Sequence, residues 1–158
     1  MIRPFFVALS LCLPIMATAK PLSIGDVTYP ESCTKAEWTR IKSKIIELTR
    51  GRPGEELHKI AYTYLCGHGE AATKELLSHS PKKILSISEG SGQDSTKELV
   101  EAADALTPQG GSVWGAEVSM SDARIQITFR PDEACIKSIA FISKARNWLV
   151  NQIEESCD

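Results

Sequence analysis

The sequence predicts an α+β domain: N-terminal helices, then a small, mainly antiparallel sheet of about three or four strands, then a C-terminal helix, the whole braced by two disulfides. Three observations carry this reading. Apolar residues recur at helical spacing between Trp38 and Leu77, strict alternation appears from Arg124 to Arg130, and Cys33, Cys66, Cys135 and Cys157 stand where predicted elements begin or end.

Residues 1–19 read as a secretory signal. Arg3 gives a positive start, an apolar run extends from Pro4 to Met16, and Ala17-Thr18-Ala19 supplies the small-x-small cleavage pattern. Cys12 lies inside that run. Leu11 before it is too bulky for a lipoprotein box, so cleavage after Ala19 is expected. Residues 20–158 then form a single globular domain, of a length that suits one core.

Lys20 to Ser32 holds two prolines and no helical period, and is expected to be an extended lead-in. Thr34 with Glu37 is a capping box, in which each side chain satisfies a free amide at a helix start. Trp38, Ile41, Ile45 and Leu48 make the buried stripe of that helix, and Gly51 and Pro53 stop it. A second helix is expected over 54–66, with Leu57, Ile60, Ala61 and Tyr64 on one face, ended by Gly67 and Gly69. A third runs from Glu70 to His79 and stops before Pro81.

Beyond Pro81 the pattern changes. Lys83–Ser88 reads as a strand, with Leu85 and Ile87 alternating toward the core. A polar loop from Glu89 to Asp94 precedes a fourth expected helix, opened by a Ser95–Glu98 capping box and buried through Leu99, Val100, Ala103 and Leu106. Pro108, Gly110 and Gly111 turn the chain into a strand over 113–120. Arg124–Arg130 follows, with Ile125, Ile127 and Phe129 on one face and Gln126 and Thr128 on the other. A strand over 135–142 completes a meander, and a last helix is expected from Ser143 to near Cys157, burying Trp148, Leu149 and Ile153.

Cysteine pairing follows from these elements. Cys33 precedes the first helix and Cys66 ends the second, so a helical hairpin brings them together. A strand of ~24 Å from Cys135 and a returning helix of ~20 Å ending at Cys157 also meet. Cys33–Cys66 and Cys135–Cys157 are therefore expected, each worth about 3–4 kcal/mol in the chain-entropy picture. An even cysteine set after a leader fits an oxidising, periplasmic or secreted location.

Composition narrows function by exclusion. The net charge of −2 argues against nucleic acid, which calls for a basic stripe. No apolar run after the leader reaches the ~18 residues of a membrane span. A redox role lacks a C-x-x-C pair. His58, Cys66 and His68 are chemically suited to a metal, but a disulfide at Cys66 removes its thiolate, so neither metal nor cofactor is expected. His58, His68 and His79 have no catalytic motif around them, and no catalytic residue is assigned.

The segment Glu89-Gly90-Ser91-Gly92-Gln93-Asp94 follows a strand and is glycine-rich, but lacks the lysine of a phosphate loop. It reads instead as a protruding contact loop for a protein partner. Glu89, Ser91, Gln93 and Asp94, with Asp122 of a later turn, are the expected contact residues. The Asp132–Glu133 turn adds acidic character that suits a basic partner. The expected function is an exported, periplasmic, non-catalytic protein that binds another protein, as an immunity protein or enzyme inhibitor binds a basic envelope enzyme or toxin. Alternatives are an envelope-polymer hydrolase using His58 or His68, or an accessory component of an envelope or secretion assembly.

Overall fold

Most of the chain builds one six-stranded sheet with helices on one side. The structure, a computed structural model, describes residues 20–50, 54–90, 92 and 94–158. The expected leader and the Gly51 and Pro53 helix stop lie outside the described residues. A short hairpin, β1 (Leu22–Ile24) and β2 (Val27–Tyr29), opens the described chain, followed by helices α1 (Lys35–Thr49), α2 (Gly54–Cys66) and α3 (Gly69–Ser78). Then come β3 (Lys83–Gly90), β4 (Thr96–Glu101), the single turn α4 (Ala102–Ala105), β5 (Trp114–Ser121), β6 (Arg124–Arg130), β7 (Cys135–Lys144) and β8 (Asn147–Cys157).

The capping box forms in part as the sequence predicts: the Thr34 side chain accepts from the Glu37 amide at 3.4 Å and starts α1. The stripes of α1 and α2 bury Ile41, Ile45, Leu57, Ile60 and Leu65 against one sheet face. That face carries Ile125, Ile127 and Phe129 of β6 with Ile139 and Phe141 of β7, all fully or almost fully buried. Their strand neighbours Gln126, Thr128 and Ser138 stand on the opposite face. There Gln126 Nε2 donates to Ser138 Oγ at 2.9 Å, and Ser138 donates to Glu154 at 3.3 Å.

The sheet overturns the expected fold class. Its strand order is β4-β3-β8-β7-β6-β5, six strands rather than three or four, and the β3–β8 pair is parallel. The expected C-terminal helix is β8, which lies between β3 and β7. A register shift beside Ala140 explains the misreading. It leaves Asn151 as an extra residue, so Val150 and Ile153 face the core three positions apart and imitate a helical stripe. The turn into β8 hides as well. Ala145 and Arg146 take φ of 50° and 73° in a two-residue hairpin loop that normally uses glycine or asparagine.

A second correction concerns Ser95–Leu106. The Ser95–Glu98 box does not start a helix; Thr96–Glu101 pairs antiparallel with β3 along its length, and only Ala102–Ala105 is helical. Partnership with β3 outweighs local helix preference here. In β3 itself Ile84 is the buried residue, while Leu85 and Ile87 face away from the helices.

The two edges of the sheet differ. Residues 30–32 run along β5: Ser32 N donates to Val113 O at 2.8 Å, Gly115 N to Pro30 O at 3.0 Å, and Glu31 bridges Trp114. Among the described residues, nothing pairs with the outer edge of β4.

Both disulfides join the expected cysteines. Cys33–Cys66 ties the start of α1 to the end of α2, with Cα atoms 5.8 Å apart. Cys135–Cys157 links β7 to β8 directly across the ladder, Cα atoms 4.2 Å apart, so its geometry is that of a strand pair rather than a strand and helix. Two disulfides are compatible with an exported protein. Among the described residues no helix is long and apolar enough to cross a membrane.

Candidate functional site

Several acidic turns meet at one end of the sheet. Gly90 at the end of β3 pairs with Cys157 at the end of β8, and Cys157 pairs with Cys135 at the start of β7. The β3–β4 turn, Asp158 after β8 and the β6–β7 turn therefore share that end. They bring Glu89, Asp94, Asp132, Glu133 and Asp158 there, all exposed. Asp132 Oδ1 accepts from the Ala134 and Cys135 amides, each at 2.9 Å, and the Asp158 amide donates to Ala134 O at 3.0 Å. These bonds and the Cys135–Cys157 bridge fix the backbone at this end.

On the helix side of the same strands lies a cleft of about 170 Å³, lined by Tyr64, Ser86, Ser88, Thr107, Lys137 and Glu155 among others. Its wall at 107–111 is tied to the end of α2: Gln109 N donates to Tyr64 O at 2.7 Å and Gly111 N to Leu65 O at 2.9 Å. Gly110 and Gly111, at φ of 72° and 84°, allow the chain to fold back that closely.

Tyr64 is 3% exposed and packs edge-on against Phe129. Burial, reinforced by the negative Glu155, pushes its pKa far up, so the hydroxyl stays protonated and able to donate. Lys137 Nζ lies 3.0 Å from Glu155 Oε1, so the cleft holds a neutralised ion pair ringed by hydroxyls. A cleft of this size is below the ~300–1,000 Å³ of cofactor and drug-sized sites and suits a single side chain. A larger cavity, about 460 Å³, lies by Glu47, Arg50, Met120 and Trp148.

The expected contact residues separate into two places. Glu89 and Asp94 belong to the acidic end. Asp122, at φ 55° in the β5–β6 turn, stands at the far edge and the opposite end, where it lines a shallow depression with Ser119, Ser121, Arg124 and Gln126. Ser91 and Gln93 lie outside the described residues. The sequence reading did not single out Tyr64, Lys137 and Glu155 as a group. The β7–β8 register that aligns Lys137 with Glu155 carries no local sequence signal.

The histidines have structural partners. His58 Nε2 accepts from Trp38 Nε1 at 2.9 Å, with the rings 5.2 Å apart. His79 lies 3.6 Å from Glu56 and 3.7 Å from Glu75. His68 flanks the Gly110–Gly111 turn. Cys66 is bonded to Cys33, which removes it as a metal ligand. The grouping of Cys135, Glu155 and Cys157 likewise offers no thiolate, since its two sulfurs are joined.

Burial, and secondarily the Lys42 charge, lowers the His58 pKa below its ordinary value. The unfolded chain thus binds a proton on His58 at a pH where the folded chain does not. Stability is then fullest above the ordinary histidine pKa of about 6.5 and declines as pH falls through the lowered value. His58→Gln keeps an acceptor for Trp38 and removes the titration. Urea melts are expected to show wild type losing more stability than this variant between about pH 7.5 and pH 5.5. Equal losses would contradict the assignment.

No protein-family profile matches the chain, and no curated protein matches it. Among solved structures, an NTF2-like protein of unknown function from Methylobacillus flagellatus KT is similar at 6% identity and TM-score 0.41, over 81% of this chain and 98% of that one. A DUF4783 family protein from Bacteroides uniformis ATCC 8492 is similar at 14% identity and TM-score 0.39, over 66% and 95%. An NTF2-like protein with a cystatin-like fold from Novosphingobium aromaticivorans gives 10% identity and TM-score 0.35, over 79% and 90%. TM-scores of this size carry no assignment.

Proposed function

We propose that this is an exported, periplasmic, non-catalytic binding protein that holds another protein at the acidic end of its sheet, in the manner of an immunity protein or enzyme inhibitor. The observation that supports this most is the placement of the side-chain-sized cleft beside the converging acidic turns. A basic partner is drawn by Glu89, Asp94, Glu133 and Asp158, and one of its side chains enters the cleft to meet Tyr64 and the Lys137–Glu155 pair. Steering by exposed carboxylates acts mainly on encounter rate and choice of partner. The disulfide and the Asp132 turn hold the backbone in place beforehand, which reduces the ordering lost on binding.

Synthetic peptides of equal length and basic, neutral or acidic composition test this by fluorescence anisotropy. Basic peptides are expected to bind, and to weaken as salt screens the carboxylates. A Glu89→Gln/Asp94→Asn/Glu133→Gln variant is expected to lose about tenfold in affinity, while Asp122→Asn stays unchanged. Equal binding of all three peptide classes, or an equal effect of Asp122→Asn, would sink the assignment of this end.

A further inference from the structure

We propose that a second copy of this chain adds to the outer edge of β4, with which no described residue pairs, with the two β4 strands antiparallel and centred on Leu99, so that one sheet runs through both copies. The first support is which backbone groups are free. Ala102 N donates to Lys82 O at 2.8 Å, continuing the register in which Lys83 faces Glu101 and Ile84 faces Val100. Hydrogen-bonded pairs alternate along an antiparallel ladder. Val100, Glu98 and Thr96 therefore spend their N–H and C=O groups on β3, while Lys97, Leu99 and Glu101 turn theirs outward.

The same three residues put their side chains on the face away from the helices. Val100 packs against the core, so its neighbours Leu99 and Glu101 face the other way. Leu99 is 67% exposed, the most exposed large apolar side chain among the described residues, and it stands opposite Leu85 of β3. One edge thus offers a row of Lys97, Leu99 and Glu101, with free backbone and side chains on a single face.

That row is its own complement. Laid antiparallel on a copy of itself about Leu99, Leu99 meets Leu99 of the second copy, and Lys97 meets the second copy's Glu101 at both ends. Glu101 already lies 3.7 Å from Lys83, so it would stand between two lysines. Leu85 and Leu99 of each copy would join in one apolar row across the seam. Sliding so that the centre falls on Lys97 sets lysine against lysine, and centring on Glu101 sets glutamate against glutamate. Like charges directly opposite destabilise a strand pair and opposite charges support it, so the charges select the Leu99-centred register. An exposed edge with self-complementary charges also forms the isologous contact of a twofold dimer.

Sedimentation velocity, on the chain exported with its own leader and purified from an oxidising compartment, decides the matter. Wild type is expected to shift from monomer to dimer with rising concentration. Lys97→Glu places glutamate against glutamate at both ends and is expected to raise the dimer dissociation constant about tenfold or more. The swap Lys97→Glu/Glu101→Lys inverts the row, keeps it self-complementary, and is expected to restore the dimer. Leu99→Lys, which sets two lysines face to face at the centre, is expected to abolish it while leaving the thermal melt of the monomer intact. A chain that stays monomeric at every concentration, as it would if this edge receives a strand of a different protein, overturns the proposal. So does a dimer indifferent to Lys97→Glu and Leu99→Lys, or one that the charge swap fails to restore. None of these outcomes bears on peptide binding at the acidic end.

Discussion

Trp148→Ala is expected to lower folding stability by about 3–5 kcal/mol, the range for removing a large aromatic side chain from a packed interior. Trp148 is 1% exposed and is the largest of the fully buried side chains. It sits in β8, the strand whose Val150 N donates at 2.9 Å to the carbonyl of His79, the residue that caps the end of α3, so the cavity would open where helices and sheet meet. Its indole N–H makes no hydrogen bond among the described residues, so Trp148→Phe gives up volume without stranding a partner. Urea denaturation should therefore rank wild type first, then Phe, then Ala. An alanine loss below about 1 kcal/mol would contradict the burial on which the argument rests.

Removing the Cys33–Cys66 bridge with Cys33→Ser/Cys66→Ser is expected to cost about 3.7 kcal/mol, because the bond closes a loop of 33 residues in the unfolded chain. The Cys135–Cys157 bridge spans 22 residues and is expected to be worth about 3.4 kcal/mol on the same entropic argument, roughly 0.4 kcal/mol less. A domain of this size holds only about 5–15 kcal/mol in all, so losing the first bridge removes roughly a quarter to three quarters of its stability. Thermal melts of each double serine variant should place the Cys33/Cys66 variant lower. The reverse order would show that native-state contacts around the β7–β8 end outweigh loop length.

The sequence read best where an element depends on itself. In α1 the Thr34 cap and the Ile41–Ile45 spacing are local, and β6 shows its alternation over Arg124–Arg130 because one whole face meets the core. It read worst where distant chain decides. Thr96–Glu101 becomes a strand because β3 lies beside it, against a helix-start signal at Ser95. Residues 147–157 become β8 although the shift at Asn151 breaks their alternation and Ala145-Arg146 hides their turn. The cysteine partners were legible because two element ends meeting at one place needs no knowledge of what joins them. For Cys157 the right partner came from the wrong element. Of the candidate site, the acidic turns are local motifs visible in the sequence, whereas the Tyr64, Lys137 and Glu155 cleft exists only through sheet register.

The parallel pairing of β3 with β8 has a consequence for how the chain folds. β8 is an interior strand of the sheet, flanked by β3 on one side and β7 on the other. Until residues 147–157 are in place, β3 and β7 have no common neighbour, and the sheet exists only as two separate pieces, β3 with β4 and the β5-β6-β7 meander. Neither piece closes the core by local pairing, so the long-range β3–β8 contact is expected to be the slow step of folding.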